Sequence, residues 1–260
     1  MARIHLFEFE DLSWFPSGIR NYGTDFLQHV TNKFDFYKGV VPLLEEGIEA
    51  GGENQVIDLA SGGGGGWKKL STHLKENRPE VKVVLTDYFP NLRAFKKMKD
   101  HDPEVFSFER EPVSALDVPT HLRGLRTQFL SFHHFKKEDA RQILQNAVDS
   151  RAPIGIFEGQ VRDVPHFLKN FFSPISVLVF TPFIRPFSIG RIFFTYILPI
   201  VPLFVWWDGI VSVLRTYSVS EMQELVDTLE HGDTYEWKIG KHKERGITVP
   251  YLLGLPKKAL

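Results

Sequence analysis

Apolar positions along this chain switch between two periods. Phe7, Phe9, Trp14 and Phe15 form an apolar start that Pro16-Ser17-Gly18 breaks. Then Phe26, Val30, Phe34, Tyr37, Val40, Val41, Leu43 and Leu44 recur at helical spacing, and Gly51-Gly52 is expected to end that zone. From residue 53 to about 160 strand and helix patterns alternate. Short runs rich in apolar and β-branched residues at 55–60, 81–87, 105–108, 126–132 and 152–157 predict strands. Between them, 67–77 carries Leu70 and Leu74 on one face, 91–100 carries Leu92, Phe95 and Met98, and 138–150 carries Ile143, Leu144, Ala147 and Val148. Repeated strand–helix units of this length predict a parallel sheet with helices on both faces. An apolar block follows at 167–217, with nine Phe and only five charges: Lys169, Arg185, Arg191, Asp208 and Arg215. Ser218 and Glu221 form a capping box that opens a helix with Met222, Leu225, Val226 and Leu229 inward. Residues 235–239 and 247–253 read as two closing strands joined by a charged turn from Gly240 to Gly246. The organisation expected is a helical cap at 1–50 and an α/β domain at 51–260 that contains the apolar insertion 167–217.

Composition narrows the classes. With 260 residues the chain can bury a large core, and with no Cys it forms no disulfide, cysteine nucleophile or thiolate metal site. Its 31 Lys and Arg against 32 Asp and Glu give a net charge of −1, so no global field favours nucleic acid. The first ten residues turn acidic at Glu8 and Glu10, unlike a secretory signal. The longest charge-free apolar stretch, Ile192 to Trp207, is cut by Pro199 and Pro202 and falls short of a spanning helix. A cytoplasmic protein is expected. The compositional outlier is aromatic content at 13%, with 23 Phe.

The chemistry concentrates at Asp58-Leu-Ala-Ser-Gly-Gly-Gly-Gly-Gly66, which follows a strand and precedes a helix. Glycines there let backbone approach a ligand at the carboxyl ends of the strands. A Walker loop needs Gly-Lys-Ser/Thr, whereas Gly66 is followed by Trp67-Lys68-Lys69. A dinucleotide would set its pyrophosphate at the helix N-terminus. S-adenosylmethionine carries no phosphate but has a cationic sulfonium and amine, and an acid ahead of the glycines suits it better; Asp58 is that acid. Asp87 ends the next strand, 29 residues on, where a carboxylate can accept both ribose hydroxyls. Asp58 with Asp87 therefore selects adenosine-type ligands, and an NAD(P)-dependent oxidoreductase remains the alternative.

These residues resemble the class I S-adenosylmethionine-dependent methyltransferases. The likeness rests on Val56 to Gly64, Val83 to Asp87, Thr127 to Phe135 and Ile154 to Phe157, and it covers roughly 50–160 plus the closing helix and strands. It implies a Rossmann-like, doubly wound α/β sheet of seven strands with the last one antiparallel. It implies that Asp58, Ala60, Ser61, Gly62, Gly63 and Gly64 flank the methionine part, that Asp87 holds the ribose and that Tyr88 packs on adenine. Ser114 and Ala115 fall where many members hold the adenine amine, although Ser114 replaces the usual acid.

His133 and His134 end the fourth strand, above the expected transfer position, as a base or an acceptor anchor. A metal shared with Glu158 is disfavoured, because neighbouring strand residues face opposite ways; no metal is expected. Tyr22, Glu158, Trp207 and Asp208 are candidate acceptor contacts. Asp208 needs a partner in its apolar setting, and Arg215, two helical turns on, is the expected one. The aromatic block admits three uses: lid of an apolar acceptor cavity, contact with a membrane surface through residues flanked by Arg185 and Arg191, or ordinary core. The resulting expectation is methyl transfer to a small, apolar or aromatic acceptor, with no nucleic-acid partner; a non-catalytic membrane-associated binding protein on this fold is a further alternative.

Overall fold

The computed structural model describes residues 1–258. In chain order the elements are α1 (Ser17–Lys33), α2 (Val41–Gly51), β1 (Gln55–Asp58), α3 (Trp67–Asn77), β2 (Lys82–Leu85), α4 (Leu92–His101), β3 (Phe106–Phe108), β4 (Leu125–Phe129), α5 (Lys137–Asp149) and β5 (Ile154–Phe157). Then come α6 (Val164–Phe171), α7 (Ser173–Phe180), α8 (Ile189–Ile192), α9 (Ile200–Arg215), α10 (Val219–Asp227), β6 (Tyr235–Glu244) and β7 (Ile247–Pro256). The strands form one seven-stranded sheet in the order β3-β2-β1-β4-β5-β7-β6. β1 to β5 run parallel, and β7 inserts antiparallel beside β5. The alternation of patterns predicts the parallel part with helices on both faces, and the resemblance implies the seven-stranded doubly wound α/β sheet with its antiparallel closure; both are found.

β1, β2 and β5 are buried and largely apolar on both sides because both faces are covered. Val56, Val83, Leu85 and Phe157 face Leu44 and Ile48 of α2, Trp67, Leu70 and Leu74 of α3, and Phe95 and Met98 of α4. Ile57, Val84 and Ile156 face Ile143, Leu144 and Ala147 of α5 and Met222 and Leu225 of α10. The period-2 alternation of Val56 and Ile57 thus assigns neighbouring residues to opposite layers. α2 packs on the sheet rather than in an outer cap, so the packing does not divide at residue 50.

A third cluster lies outside the sheet layers. Phe15 and Phe26 meet Val177, Ile184, Val201, Phe204 and Val205 where α1 packs under α7 and α9. At Gly23 of α1 an added Cβ would sit 2.2 Å from the Phe204 ring, so glycine sets this close approach.

Three local expectations need correction. β4 stops at Phe129 rather than Phe132: Leu130 takes φ 52°, and Phe132–His134 form a 3-10 turn. The closing turn is two residues, not seven. β6 and β7 pair from Tyr235↔Pro256 to Glu244↔Ile247, and Arg245 (φ 48°) and Gly246 (φ 77°) make the tight hairpin that positive φ at both positions favours. In the N-terminal zone one helical pattern becomes two helices, α1 and α2, broken at 34–40.

Candidate active site

β1 and β2 end side by side, and the turns leaving them wall a cavity of about 1020 Å³. Asp58, 2% exposed, accepts a hydrogen bond from Thr127 Oγ1 on β4 at 2.9 Å. Burial pushes its carboxyl up to about 6. The chain then turns back on itself. Ala60, Gly62, Gly64 and Gly65 all have positive φ, and an added Cβ at Gly62 or Gly65 would meet nothing within 4 Å. The turn therefore presents bare backbone to the cavity.

Two neighbours hold this turn. Asp87 Oδ2 accepts from the Gly62 N–H at 2.8 Å, and its Oδ1 accepts from the Phe89 N–H at 2.8 Å. Burial raises the Asp87 carboxyl above its ordinary range. From the other side α1 reaches over: the Gln28 amide donates to the Gly63 carbonyl, and Asn32 Nδ2 donates to the Gly65 carbonyl at 2.7 Å. Asn32 Oδ1 also accepts from the Lys69 N–H at 3.0 Å, tying the turn to the start of α3. No pattern in the sequence marks Gln28 or Asn32; their value depends on α1 crossing above a turn 35 residues downstream.

The remaining walls are Tyr88 and Phe89 after β2, Val113 to Leu116 after β3, Leu130 to Ser131 and His134 after β4, and Ser17, Arg20, Asn21, Thr24 and Leu27 of α1. Ala60 to Gly63, Asp87, Tyr88, Ser114 and Ala115, singled out from sequence, all line this one space. Gly64 lies in the same turn, with its α-carbon beside Met98, and Asp58 lies beneath it.

The polar end of the cavity is built by the N-terminal strap, residues 1–15. Glu8 is fully buried, and burial raises its carboxyl. His134 Nδ1 lies 2.8 Å from Asp11 Oδ1 and 3.3 Å from Glu8 Oε2, and its Nε2 lies 3.4 Å from Glu10 Oε1. Desolvation opposes a charge on His134, but these three carboxylates outweigh it and raise the imidazole well above its usual range. Arg215 adds a cation 2.6 Å from Asp11 and 3.4 Å from Glu8. Asp11 falls well below its ordinary range: burial opposes this, and His134 and Arg215 overcome it. Ligand atoms of Glu8, His133 and His134 lie within 4.8 Å of one another, close enough to share a cation. The Arg215 guanidinium and a proton on His134 already bring positive charge to that cluster. The 3-10 turn is what brings both imidazoles to one side, with ring centroids 4.4 Å apart, against the expectation of opposite faces.

Several candidate residues lie off the cavity. His133, 1% exposed, sits behind His134 with its N–H and Nδ1 both 2.8 Å from the Glu158 carboxylate. Burial disfavours a charged Glu158, yet His133 outweighs it and lowers that carboxyl. Asp208 does not pair with Arg215. It accepts from the Phe9 and Glu10 N–H groups at 2.8 and 3.1 Å and so caps the strap's short 3-10 turn, while burial pushes it up to about 8. Trp207 Nε1 donates to the Phe7 carbonyl at 3.0 Å. Tyr22 points away, toward Phe194 and Gly190. The aromatic block does not line the cavity either, because α1 stands between them. The acidic strap was legible in sequence only as an early loss of apolar character; its contact with His134 needs a chain return over 123 residues.

No family model matches the chain, and no curated protein matches it in sequence. Among solved structures, human N-acetylserotonin methyltransferase in complex with SAM superposes with a TM-score of 0.53 at 11% identity, over 94% of this chain and 57% of that one. The chain thus spans little more than half the length of that enzyme. Magnesium protoporphyrin IX methyltransferase from Synechocystis PCC 6803 with bound SAH is similar at 11% identity over 93% of this chain and 99% of that one, with a TM-score of 0.49. The fold is that of the class I S-adenosylmethionine-dependent methyltransferases.

Proposed function

We propose that this protein is an S-adenosylmethionine-dependent methyltransferase acting on a small-molecule acceptor. The observation that carries the reading is the convergence of Asp87, the bare glycine turn, Tyr88 and Ala115 on one cavity at the carboxyl ends of β1 and β2. The residues fit the cofactor. Each Asp87 oxygen has one backbone donor and keeps a second acceptor site for a ribose hydroxyl. Open space over Gly62 and Gly65 admits a ligand against the backbone, and Asp58, Ala60, Ser61, Gly62, Gly63 and Gly64 flank its methionine part. Tyr88, exposed at the rim, packs on adenine, with Ser114 and Ala115 at its edge. When bound, S-adenosylmethionine supplies an electrophilic methyl on a sulfonium.

The chain's own contribution is alignment and proton handling. Ser13, Arg20, Asn21, Leu116, Leu130 and His134 face the space left for the acceptor. A protonated His134 orients an oxygen acceptor as a donor. Glu158 holds Nδ1 of His133 and so orients the ring, whose Nε2 faces Glu8 behind the cavity. The apolar wall formed by Leu27, Val113, Leu116, Phe129 and Leu130 favours an apolar or aromatic acceptor.

A thermal-shift and calorimetry pair tests the cofactor. Adenosylhomocysteine at a hundred times its Kd should stabilise the protein by about 2.7 kcal/mol, while NAD and NADP leave the midpoint unmoved. Asp87→Asn, which keeps the acceptor shape but lowers its strength, should weaken that binding about tenfold or more. Protection by a nicotinamide dinucleotide and none by adenosylhomocysteine overturns the assignment.

A further inference from the structure

The helices between β5 and α10 bury one side and leave the other bare. α9 turns Val201, Phe204, Val205 and Val211 inward, and α7 buries Val177. Their outer faces carry no comparable partner among the described residues. Of the 24 large hydrophobic residues that are exposed among the described residues, 15 fall between Val164 and Leu203. Phe183 and Phe187 are each 61% exposed, Ile197 72% and Ile189 78%. Of the nine Phe in the block only Phe204 is buried. Scattered apolar residues are ordinary on a protein surface; this many on adjoining helices are not.

Charge decides what could cover this face. Residues 164–207 contain no Asp or Glu and three cations, Lys169, Arg185 and Arg191. The whole chain carries −1, so the rest carries −1 − 3 = −4. Arg191 is buried and paired with Asp25 at 2.9 Å, whereas Lys169 and Arg185 are exposed among the apolar side chains. A second copy meeting this face with the same face of its own would bring cation to cation. A layer of anionic headgroups above hydrocarbon complements both features.

Shape fits the same partner. Among the described residues no single helix is long and apolar enough to cross a membrane, but Ile189–Ile197 and Ile200–Arg215 form an apolar pair bent by 76°. Such a bend lets short apolar helices lie along an interface rather than traverse it. Pro199 sits at the break, and Tyr196 is exposed beside it, an aromatic suited to headgroup depth.

We propose that the outer face of α6 to α9 seats this protein on an anionic phospholipid bilayer, embedded in one leaflet's interface. The proposal stands on these surface residues and does not depend on the methyltransferase reading. The test is co-sedimentation of the full chain with vesicles of phosphatidylcholine, alone or mixed with phosphatidylglycerol, with light scattering of the same samples in buffer. The chain should pellet with the mixed vesicles, less so as salt rises. Replacing Phe183, Phe187 and Ile189 together by Glu (F183E/F187E/I189E) touches only exposed side chains. It should preserve the melting temperature and weaken partitioning about tenfold or more. Arg185→Glu should lower binding to the mixed vesicles while leaving binding to phosphatidylcholine unchanged. The proposal is overturned if the wild-type chain stays in the supernatant, or if the triple variant pellets equally. A dimer that the triple variant dissociates, without vesicle binding, assigns the face to a second copy instead.

Discussion

At the residue scale, glycine carries opposite weights within one chain. Gly64 takes φ 84°, and an added Cβ would stand 3.0 Å from Met98 Cγ. Gly18, in the first turn of α1, has nothing within 4 Å of its would-be Cβ. Gly64→Ala should therefore destabilise the fold by about 1–2 kcal/mol, the cost of a left-handed alanine, while Gly18→Ala should be neutral or stabilising. Urea denaturation of the two variants side by side checks the contrast. Asp58, Asp87 and the glycine run were legible in sequence because they are local: strand end, turn, strand end. Gln28, Asn32 and Thr127 were not, since each acts on backbone or a carboxylate far away in the chain. His133 and His134 were seen but misplaced. A strand pattern extended to Phe132 puts them on opposite faces, and the single left-handed residue Leu130 ends the strand early.

Among the elements, the strap is the least sequence-determined and the most electrostatically loaded. Glu8, Glu10 and Asp11 surround His134, with Arg215 and His133 completing the cluster. His134 is raised above its unfolded value near 6.5, so the folded state holds a proton that the unfolded chain loses first. This stabilisation is fully present below pH 6.5 and is lost as pH climbs through the raised folded value. Melting temperature measured from pH 6 upward should fall on the alkaline side, and His134→Asn should flatten that fall. A wild-type profile as flat as the variant's would remove the cation from His134. The pairing expected from sequence, Asp208 with Arg215, failed for a spatial reason. Two turns of one helix do bring the residues to one side, but the strap passes across that side. Its N–H groups take Asp208, and its carboxylates take Arg215.

For the whole molecule, the alternation of periods was enough to define the parallel strands and their helical layers, and the antiparallel closure came from the family resemblance. The fate of the apolar block was not. Composition marks the block as unusual, but whether phenylalanine faces a cavity, a core or the outside depends on what lies between, and that is α1. The same helix gives Ser17, Arg20, Asn21, Thr24, Gln28 and Thr31 to the cavity and Ile19, Tyr22, Phe26 and Val30 to the outer helical layer.

That division has a genetic consequence. Substitutions scanned along residues 17–33 should fall into two phenotypes that alternate with the helical period. Changes at Thr24, Gln28 or Asn32 should leave abundance intact and impair adenosylhomocysteine binding. Changes at Gly23, Phe26 or Val30 should lower abundance and spare binding in the protein that survives. A paired screen for expression level and ligand retention would read this pattern out, and a single mixed phenotype along the helix would contradict it. One helix, seventeen residues long, would then encode two separable traits.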